Sequence, residues 1–276
     1  MRRKIFSVVA EPCSASGRTV IGAGLLLFSM FSAGATELPP PEQLRSAMGE
    51  PIAITVFEPN LSQGEELIAV EYVAYPATEV FTLLLGEDWR SWAAAVELKA
   101  LDGYISRIDS SRFDSYPAYL AFARADGGDF SVDVPSQNQT DVPLGPYYLV
   151  WNNRLHPELL IEGGRYWPYQ VSQIESFFGF GDILTPATLD PEFLEGARLA
   201  QSNCLTCHQI RGVGAAMYPI DMTLVVRAFE PDRFSRWLLE PSAVKPGTHM
   251  PPLAPKLDQQ ERERIAKAIY DYLQQL

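Results

Sequence analysis

Cysteine and histidine are scarce in this 276-residue sequence, which holds three residues of each type. A scaffold held by several disulfides and a zinc site built from four cysteines are therefore excluded. Beyond residue 35 no run is apolar enough for a membrane-spanning helix, which needs about 20 predominantly apolar residues. The Gly163-Gly164 pair precedes neither a Lys-Ser/Thr pair nor a helix start, so it indicates a turn and not a phosphate-binding loop.

Basic side chains are also few, and 22 Lys/Arg against 34 Asp/Glu give a formal net charge of −12. Residues 36–190 carry eight basic and 23 acidic side chains, whereas residues 191–276 carry ten of each. Nucleic acid is not expected to bind so acidic a surface. Attraction of a basic partner protein and simple solubility both remain as explanations of the acidity.

The first residues have the composition of an export signal. Arg2, Arg3 and Lys4 precede an apolar run at 20–31, which ends at the small residues Ala33-Gly34-Ala35. This order is typical of a secretory signal peptide, predicted to span residues 1–35 and to be cleaved before Thr36. An uncleaved N-terminal anchor is the alternative. The signal predicts a bacterial protein located in the periplasm.

The pattern of the mature chain changes near residue 185. Before that point, β-branched and aromatic segments bounded by Pro, Gly and Asn predict strands, with one helix at 77–85. After it, capping residues and apolar spacing predict helices. We therefore expect a two-domain fold, with a strand-rich, acidic α+β domain of unknown role at 36–186 and an all-α domain at 187–276. The predicted strands are 52–57, 67–73, 96–107, 147–151 and 169–177, and the predicted C-terminal helices are 191–203, 231–239 and 258–275.

One motif carries recognisable chemistry, Cys204-Leu205-Thr206-Cys207-His208. Two thiols one helical turn apart can both form thioethers with the vinyl groups of a haem, and the following imidazole can then ligate the iron. The motif predicts one covalently attached haem c, held by Cys204 and Cys207 with His208 as proximal ligand.

A Cys-x-x-Cys pair can also be a redox-active pair or part of a zinc site. A thioredoxin-like redox pair needs a βαβ pattern, whereas this motif ends a predicted helix in a helical segment. A zinc site needs two further ligands, yet no other cysteine remains in the mature chain, and His156 and His249 are isolated.

Met250 is the expected second axial ligand. It follows His208 by 42 residues, and the prolines after it favour an extended loop from which a thioether can reach the iron. A methionine ligand raises the reduction potential of a haem. His249 and an open iron site are the alternatives, whereas Met217 and Met222 follow His208 too closely to reach the opposite face.

Residues 190–276 resemble the class I cytochrome c domain of bacterial electron carriers. The resemblance implies that Gly196, eight residues before Cys204, permits a close crossing of the first and last helices. It also implies that the Pro219 carbonyl orients His208. The segment from Phe234 to Pro241, followed by Met250-Pro251, is similar to the penultimate helix and methionine loop of that family. Ala200 departs from the aromatic residue that the family often has there.

Residues 50–178 resemble the molybdopterin-binding fold of sulfite-oxidase-like proteins, through Leu101-Asp102-Gly103-Tyr104 and Leu144-Gly145-Pro146-Tyr147. The resemblance implies a metal-binding cysteine in catalytic members, and this region has none, so molybdenum chemistry is not expected. Its aromatic clusters 147–151 and 166–169 indicate either a docking surface or a packed core.

The expected function is therefore single-electron transfer through one His/Met-ligated haem, without a catalytic residue that the sequence identifies. The expected partners are other redox proteins, either a membrane respiratory complex or a periplasmic dehydrogenase. Two alternatives remain open. In the first, the N-terminal region is the oxidising part of a fused dehydrogenase that passes electrons to the haem. In the second, it attaches the cytochrome to a membrane complex.

Overall fold

The computed structural model describes residues 34–62 and 66–276. Residues 1–33, which hold nearly all of the predicted signal peptide, lie outside the described part. The described helices are α1 Pro41–Met48, α2 Ala77–Leu85, α3 Trp89–Trp92, α4 Arg112–Ser115, α5 Leu194–Asn203, α6 Met222–Ala228, α7 Pro231–Leu239, α8 Pro241–Val244 and α9 Gln259–Gln274. Short 3₁₀ turns occupy Pro135–Gln137, Pro157–Glu162, Gly181–Ile183 and Pro191–Phe193.

The strands are short and all pair in antiparallel fashion. One four-stranded sheet has the order β1-β10-β4-β5 and a second has the order β2-β3-β6-β9, while β7 with β8 and β11 with β12 form two-stranded sheets. The described strands are β1 Thr36–Glu37, β2 Ile52–Phe57, β3 Ala69–Pro76, β4 Ala95–Ala100, β5 Ile105–Asp109, β6 Ala118–Arg124, β7 Ser131–Val134, β8 Gln139–Pro143, β9 Tyr148–Trp151, β10 Val171–Phe177, β11 Gln209–Ile210 and β12 Val213–Gly214.

The prediction of two domains, the second of them all-α, is wrong. The described residues, 34–62 and 66–276, belong to a single compact unit, and the predicted helical part contains the β11–β12 hairpin. Arg211 and Gly212 both have positive φ angles, 50° and 77°, and such a two-residue turn allows antiparallel pairing immediately after the motif. Predicted helical spacing could not reveal strands of only two residues.

The N-terminal region, used here for residues 34–183, has one cluster of buried apolar side chains, to which both four-stranded sheets and helices α1 to α4 contribute. Tyr147, Tyr148, Trp151 and Trp167 are all buried there, so both predicted aromatic clusters contribute to the core. The predicted strand 96–107 is two strands, because Gly103, with φ of 89°, turns the chain between β4 and β5. Pro41 begins α1, at a position where proline needs no amide hydrogen.

The C-terminal region, used here for residues 184–276, has its own cluster of buried apolar side chains, and α9 packs against α5, α6 and α7. Asp258 caps α9, because its side chain accepts a 2.9 Å hydrogen bond from the Glu261 amide. Helix α7 has the predicted limits, and Pro241 follows it as the first residue of α8. Among residues 34–62 and 66–276, no helix has the length and apolar character required to cross a membrane.

Candidate haem-attachment site

The motif Cys204–His208 forms one turn that continues α5. The Cys204 amide donates to the carbonyl of Ala200, in the last turn of α5, at 2.8 Å. The Cys207 and His208 amides both donate to the Cys204 carbonyl, at 3.2 and 2.8 Å. Backbone hydrogen bonds therefore hold the two cysteines and the histidine together on one turn of the chain. This is the arrangement that two thioethers and an adjacent imidazole ligand require.

Both cysteines are free thiols, Cys204 buried and Cys207 half-buried. Burial raises the pKa of Cys204 to about 12, with a smaller contribution from Cys207. Burial also raises the pKa of Cys207 to about 11. The pair follows the C-terminal end of α5, where the helix dipole disfavours a thiolate. Redox-active cysteine pairs instead depend on a lowered thiol pKa, so these features do not favour a thioredoxin-like role.

His208 is half-buried, and its ring is oriented by the segment that follows it. The Nδ1 atom lies 3.4 Å from the carbonyl oxygen of Tyr218, at the long end of the hydrogen-bonding range. Burial lowers the pKa of His208 and favours the neutral imidazole that a metal requires, although the Tyr218 carbonyl partly opposes this shift. When Nδ1 carries the proton and donates to the carbonyl, Nε2 is the ligating atom.

The orienting carbonyl belongs to Tyr218, one residue before the predicted Pro219. The Tyr218 amide donates to the Cys207 carbonyl at 2.9 Å, and this bond returns the chain to the motif. Pro219 follows Tyr218 directly and removes an amide donor next to this position. The resemblance therefore implied the correct segment, but it assigned the orienting carbonyl to Pro219, whereas the carbonyl next to Nδ1 of His208 is that of Tyr218.

A glycine that the sequence analysis did not select allows this return. Gly214 has φ of 116°, and a Cβ atom there would overlap the His208 carbonyl oxygen and lie 2.8 Å from Cδ2 of Leu205. The neighbouring Ala215 amide donates to the Leu205 carbonyl at 3.0 Å. Only glycine fits between the β11–β12 hairpin and the motif. In the sequence, Gly214 is marked only by the Gly-x-Gly spacing of Gly212 and Gly214, which by itself does not indicate close packing.

The N-terminal region contacts the motif directly. The Ile105 amide donates to the Thr206 carbonyl at 3.0 Å, and Nη1 of Arg107 donates to the Leu205 carbonyl at 3.2 Å. Arg107 also forms an ion pair with the buried Glu97. Strand β5 thus holds both residues that separate the two cysteines.

Three further side chains of the N-terminal region interact electrostatically with Cys207. Burial is the main cause of the raised pKa of Tyr104, and the charge of Cys207 is the second. Burial raises the pKa of Tyr169 to about 12, with smaller contributions from Asp102, Cys207 and Tyr218. Asp102 also raises the pKa of Cys207. Sequence reasoning missed these residues because they approach the motif only through the tertiary fold.

Met250 lies in the segment between α8 and α9, half-buried against the C-terminal core. Its amide donates to the Thr248 hydroxyl at 3.2 Å. Downstream, the Leu253 amide donates to the Leu238 carbonyl at 2.7 Å, and the Leu253 carbonyl accepts from Nε of Arg262 at 2.9 Å. The segment is therefore anchored to α7 and α9 beyond the methionine.

Apolar side chains next to the motif are consistent with a bound porphyrin. Tyr218, Ile220 and Leu224 are 36%, 53% and 63% exposed and lie in the segment that follows the motif, and the Tyr218 ring lies 5.9 Å from that of His208. A flat apolar group that covers such side chains removes them from water. Together with two free thiols and a half-buried neutral imidazole, they fit a covalently bound haem.

Within the described residues, no three His, Cys, Asp or Glu side chains are grouped as metal ligands. A His/Met pair has only one side chain of these types, so it would not form such a group.

No protein-family model matches the sequence, and no curated protein is significantly similar to it.

Proposed function

We propose that this protein is an exported electron carrier or electron-transfer subunit that attaches one haem through Cys204 and Cys207. His208 and Met250 are the proposed axial ligands. Such a haem would supply an iron that accepts and releases one electron at a time. A periplasmic location follows from the signal peptide that the sequence predicts.

The observation that carries the proposal is the arrangement of His208 on its turn. The backbone fixes Cys204, Cys207 and His208 on one turn, and the Tyr218 carbonyl lies 3.4 Å from Nδ1. A proton held on Nδ1 leaves Nε2 as the lone-pair donor. The lowered pKa of His208 keeps that lone pair free near neutral pH. Each of these properties is required of a proximal ligand.

The chain excludes water from much of the attachment turn. Cys204 and Leu205 are buried, and β5 binds the carbonyls of Leu205 and Thr206. Exclusion of water lowers the reorganisation that accompanies a change in charge, as preorganised polar groups do in other buried sites. An attachment turn that is held by hydrogen bonds and partly shielded from water is therefore suited to rapid electron transfer.

The proposal is tested by expression in bacteria that carry a cytochrome c maturation system. The purified periplasmic protein is analysed by intact mass and by haem staining after denaturation. We expect a mass increase of one haem per chain that survives denaturation. Cys204→Ala/Cys207→Ala should lose covalent haem entirely. A wild-type protein without covalent haem would contradict the proposal.

The fused-dehydrogenase alternative is distinguished by the cofactor content of the same preparation. A molybdenum-dependent enzyme would contain molybdenum and a pterin in addition to iron, whereas an electron carrier would contain one iron only. The attachment alternative is distinguished by recovery from solubilised membranes, because an anchored subunit would copurify with a complex.

A further inference from the structure

The N-terminal region contacts the methionine segment as well as the cysteine motif. The contact is made by the β7–β8 hairpin, whose turn consists of Pro135–Gln137 and Asn138. Nδ2 of Asn138 donates a 2.7 Å hydrogen bond to the carbonyl of Thr248 and also lies 3.4 Å from the Ser242 hydroxyl. Thr248 is two residues before Met250.

The turn is built so that Asn138 can make this bond. Asn138 has φ of 54° and ψ of 40°, a left-handed conformation that asparagine adopts more readily than most residues. The next residue, Gln139, places Nε2 3.4 Å from Nδ1 of His249. Two consecutive side chains of one hairpin, the last of its turn and the first of β8, therefore contact the two residues that precede Met250.

The hairpin is itself part of a rigid framework. Val132, Val134 and Val142 are buried in the N-terminal core. That core also supports β5, which binds the carbonyls of Leu205 and Thr206. The segments that carry His208 and Met250 are thus both attached to one framework outside the C-terminal region.

The remaining hydrogen bonds show why the Asn138 contact matters. Downstream of Met250, Leu253 is fixed to α7 and α9. Upstream, Thr248 is held within its own segment by two 3.2 Å hydrogen bonds, one from its amide to the Lys245 carbonyl and one from the Met250 amide to its hydroxyl. Between the end of α8 and Met250, the Asn138 bond is the shortest one described to the Thr248 backbone. Its loss would leave the upstream side held by a local turn.

We propose that Asn138 is a positioning residue for Met250, so that the N-terminal region controls axial ligation of the haem. This inference rests on the proposed His208/Met250 ligation. It gives the N-terminal region a function that needs neither a substrate nor a cofactor of its own.

The test uses the haem-loaded full-length protein and the substitution Asn138→Asp. Aspartate keeps the size of the side chain and tolerates the left-handed backbone, but a carboxylate cannot donate to the Thr248 carbonyl. Asn138→Gly is the second variant, because glycine accepts positive φ and removes the side chain without adding charge. Both should retain covalent haem at the wild-type level.

Two matched controls accompany these variants. Ser242→Ala removes only the longer contact of Asn138. Asn152→Asp adds the same negative charge to the N-terminal region, and its carboxylate can still accept the hydrogen bond that Oδ1 of Asn152 accepts from the Leu155 amide. Neither control should change the haem spectrum or the midpoint potential.

The readouts are the Met-to-ferric charge-transfer band, the midpoint potential and carbon monoxide binding by the reduced protein. In both Asn138 variants we expect a weaker band, a lower potential and a carbon monoxide response that the wild-type protein lacks. The fraction of haem with Met250 dissociated should rise roughly tenfold, the factor that corresponds to loss of one ordinary hydrogen bond. Variants with wild-type values for all three would overturn the inference while leaving the proposed function intact. A wild-type protein that lacks the charge-transfer band would overturn both.

Discussion

Gly196 of α5 lies so close to Ala268 of α9 that a Cβ atom on the glycine would overlap the Ala268 carbonyl oxygen. The same atom would lie 2.7 Å from Cβ of Tyr272. Helices α5 and α9 can therefore cross at this distance only with glycine at position 196. This crossing agrees with the expectation that the resemblance of residues 190–276 implies for Gly196.

Substitution Gly196→Ala should force the two helices apart and destabilise the protein by about 2 kcal/mol or more, the usual cost of overpacking a core. Urea unfolding followed by circular dichroism measures the change. Gly128→Ala is the control, because Gly128 is exposed and its added Cβ would meet only the ends of the Asp126 and Arg124 side chains. Equal stability of the two variants would contradict the close crossing.

Substitution Gly214→Ala should reduce the yield of haem-loaded protein, because the added methyl group would overlap the His208 carbonyl and displace the motif. Gly212→Ala is a matched control in the same hairpin. Gly212 also has positive φ, 77°, but a Cβ there meets nothing within 4 Å. The control should therefore show backbone strain alone, about 1 kcal/mol, with normal haem content. Equal haem loss in both variants would show that strain, and not the clash, is responsible.

Glu58 is a buried carboxyl group that accepts hydrogen bonds from the hydroxyls of Tyr72 and Tyr148, each at 2.9 Å. Burial raises its pKa above the ordinary 4.5, although these hydrogen bonds partly oppose the shift. The folded protein therefore binds the proton more tightly than the unfolded chain. The stability contributed by protonated Glu58 is fully present at pH values below the pKa that Glu58 has in the unfolded chain. It is lost as the pH rises through the pKa that Glu58 has in the folded protein.

Substitution Glu58→Gln removes this titration while keeping the shape of the side chain. We expect the unfolding free energy of the variant, relative to wild type, to increase as pH rises above about 4.5. Urea unfolding from about pH 4 to about pH 8 measures the difference. A difference that stays constant over this range, or that decreases, would contradict the raised pKa.

Arg107 connects the two regions, because it pairs with buried Glu97 and donates to the Leu205 carbonyl. Its guanidinium also stacks on Phe177 and Phe180, at 5.3 and 4.6 Å from the ring centroids. Arg107→Met should cost about 3 kcal/mol of unfolding free energy, because it leaves the Glu97 carboxylate buried without its main partner. Urea unfolding measures this loss.

The double variant Arg107→Met/Glu97→Leu tests the cause of the Arg107 effect. Replacement of both charges by apolar groups removes the unpaired carboxylate and should recover most of the lost stability. If the double variant were as unstable as Arg107→Met alone, the bond to Leu205 or the aromatic stacking would be the dominant contribution.

Local chemistry could be predicted from the sequence where it depends on neighbours along the chain. Helices 77–85 and 231–239 have the predicted limits, and α9 begins within one residue of its predicted start. The order of Cys204, Cys207 and His208 on one turn likewise follows from their adjacency. Propensity and capping act within a few residues, so a single sequence contains their signal.

Relationships between distant segments could not be predicted in this way. The contacts of Arg107 with Leu205 and of Asn138 with Thr248 join residues 98 and 110 positions apart. No periodicity encodes such pairs, and the composition change near residue 185 therefore suggested separate domains. These contacts lie within the single compact unit, and the inferred influence of the N-terminal region on Met250 depends on the second of them.

The most direct test of His208/Met250 ligation is the absorption spectrum of the purified protein in its oxidised, reduced and carbon monoxide-treated reduced forms. We expect a low-spin c-type spectrum with the Met-to-ferric charge-transfer band and no response to carbon monoxide. Met250→Ala should lose the band and bind carbon monoxide, whereas His249→Ala should retain the wild-type spectrum. A wild-type protein with a high-spin spectrum that shifts with carbon monoxide would contradict axial ligation by Met250 and indicate an open iron site.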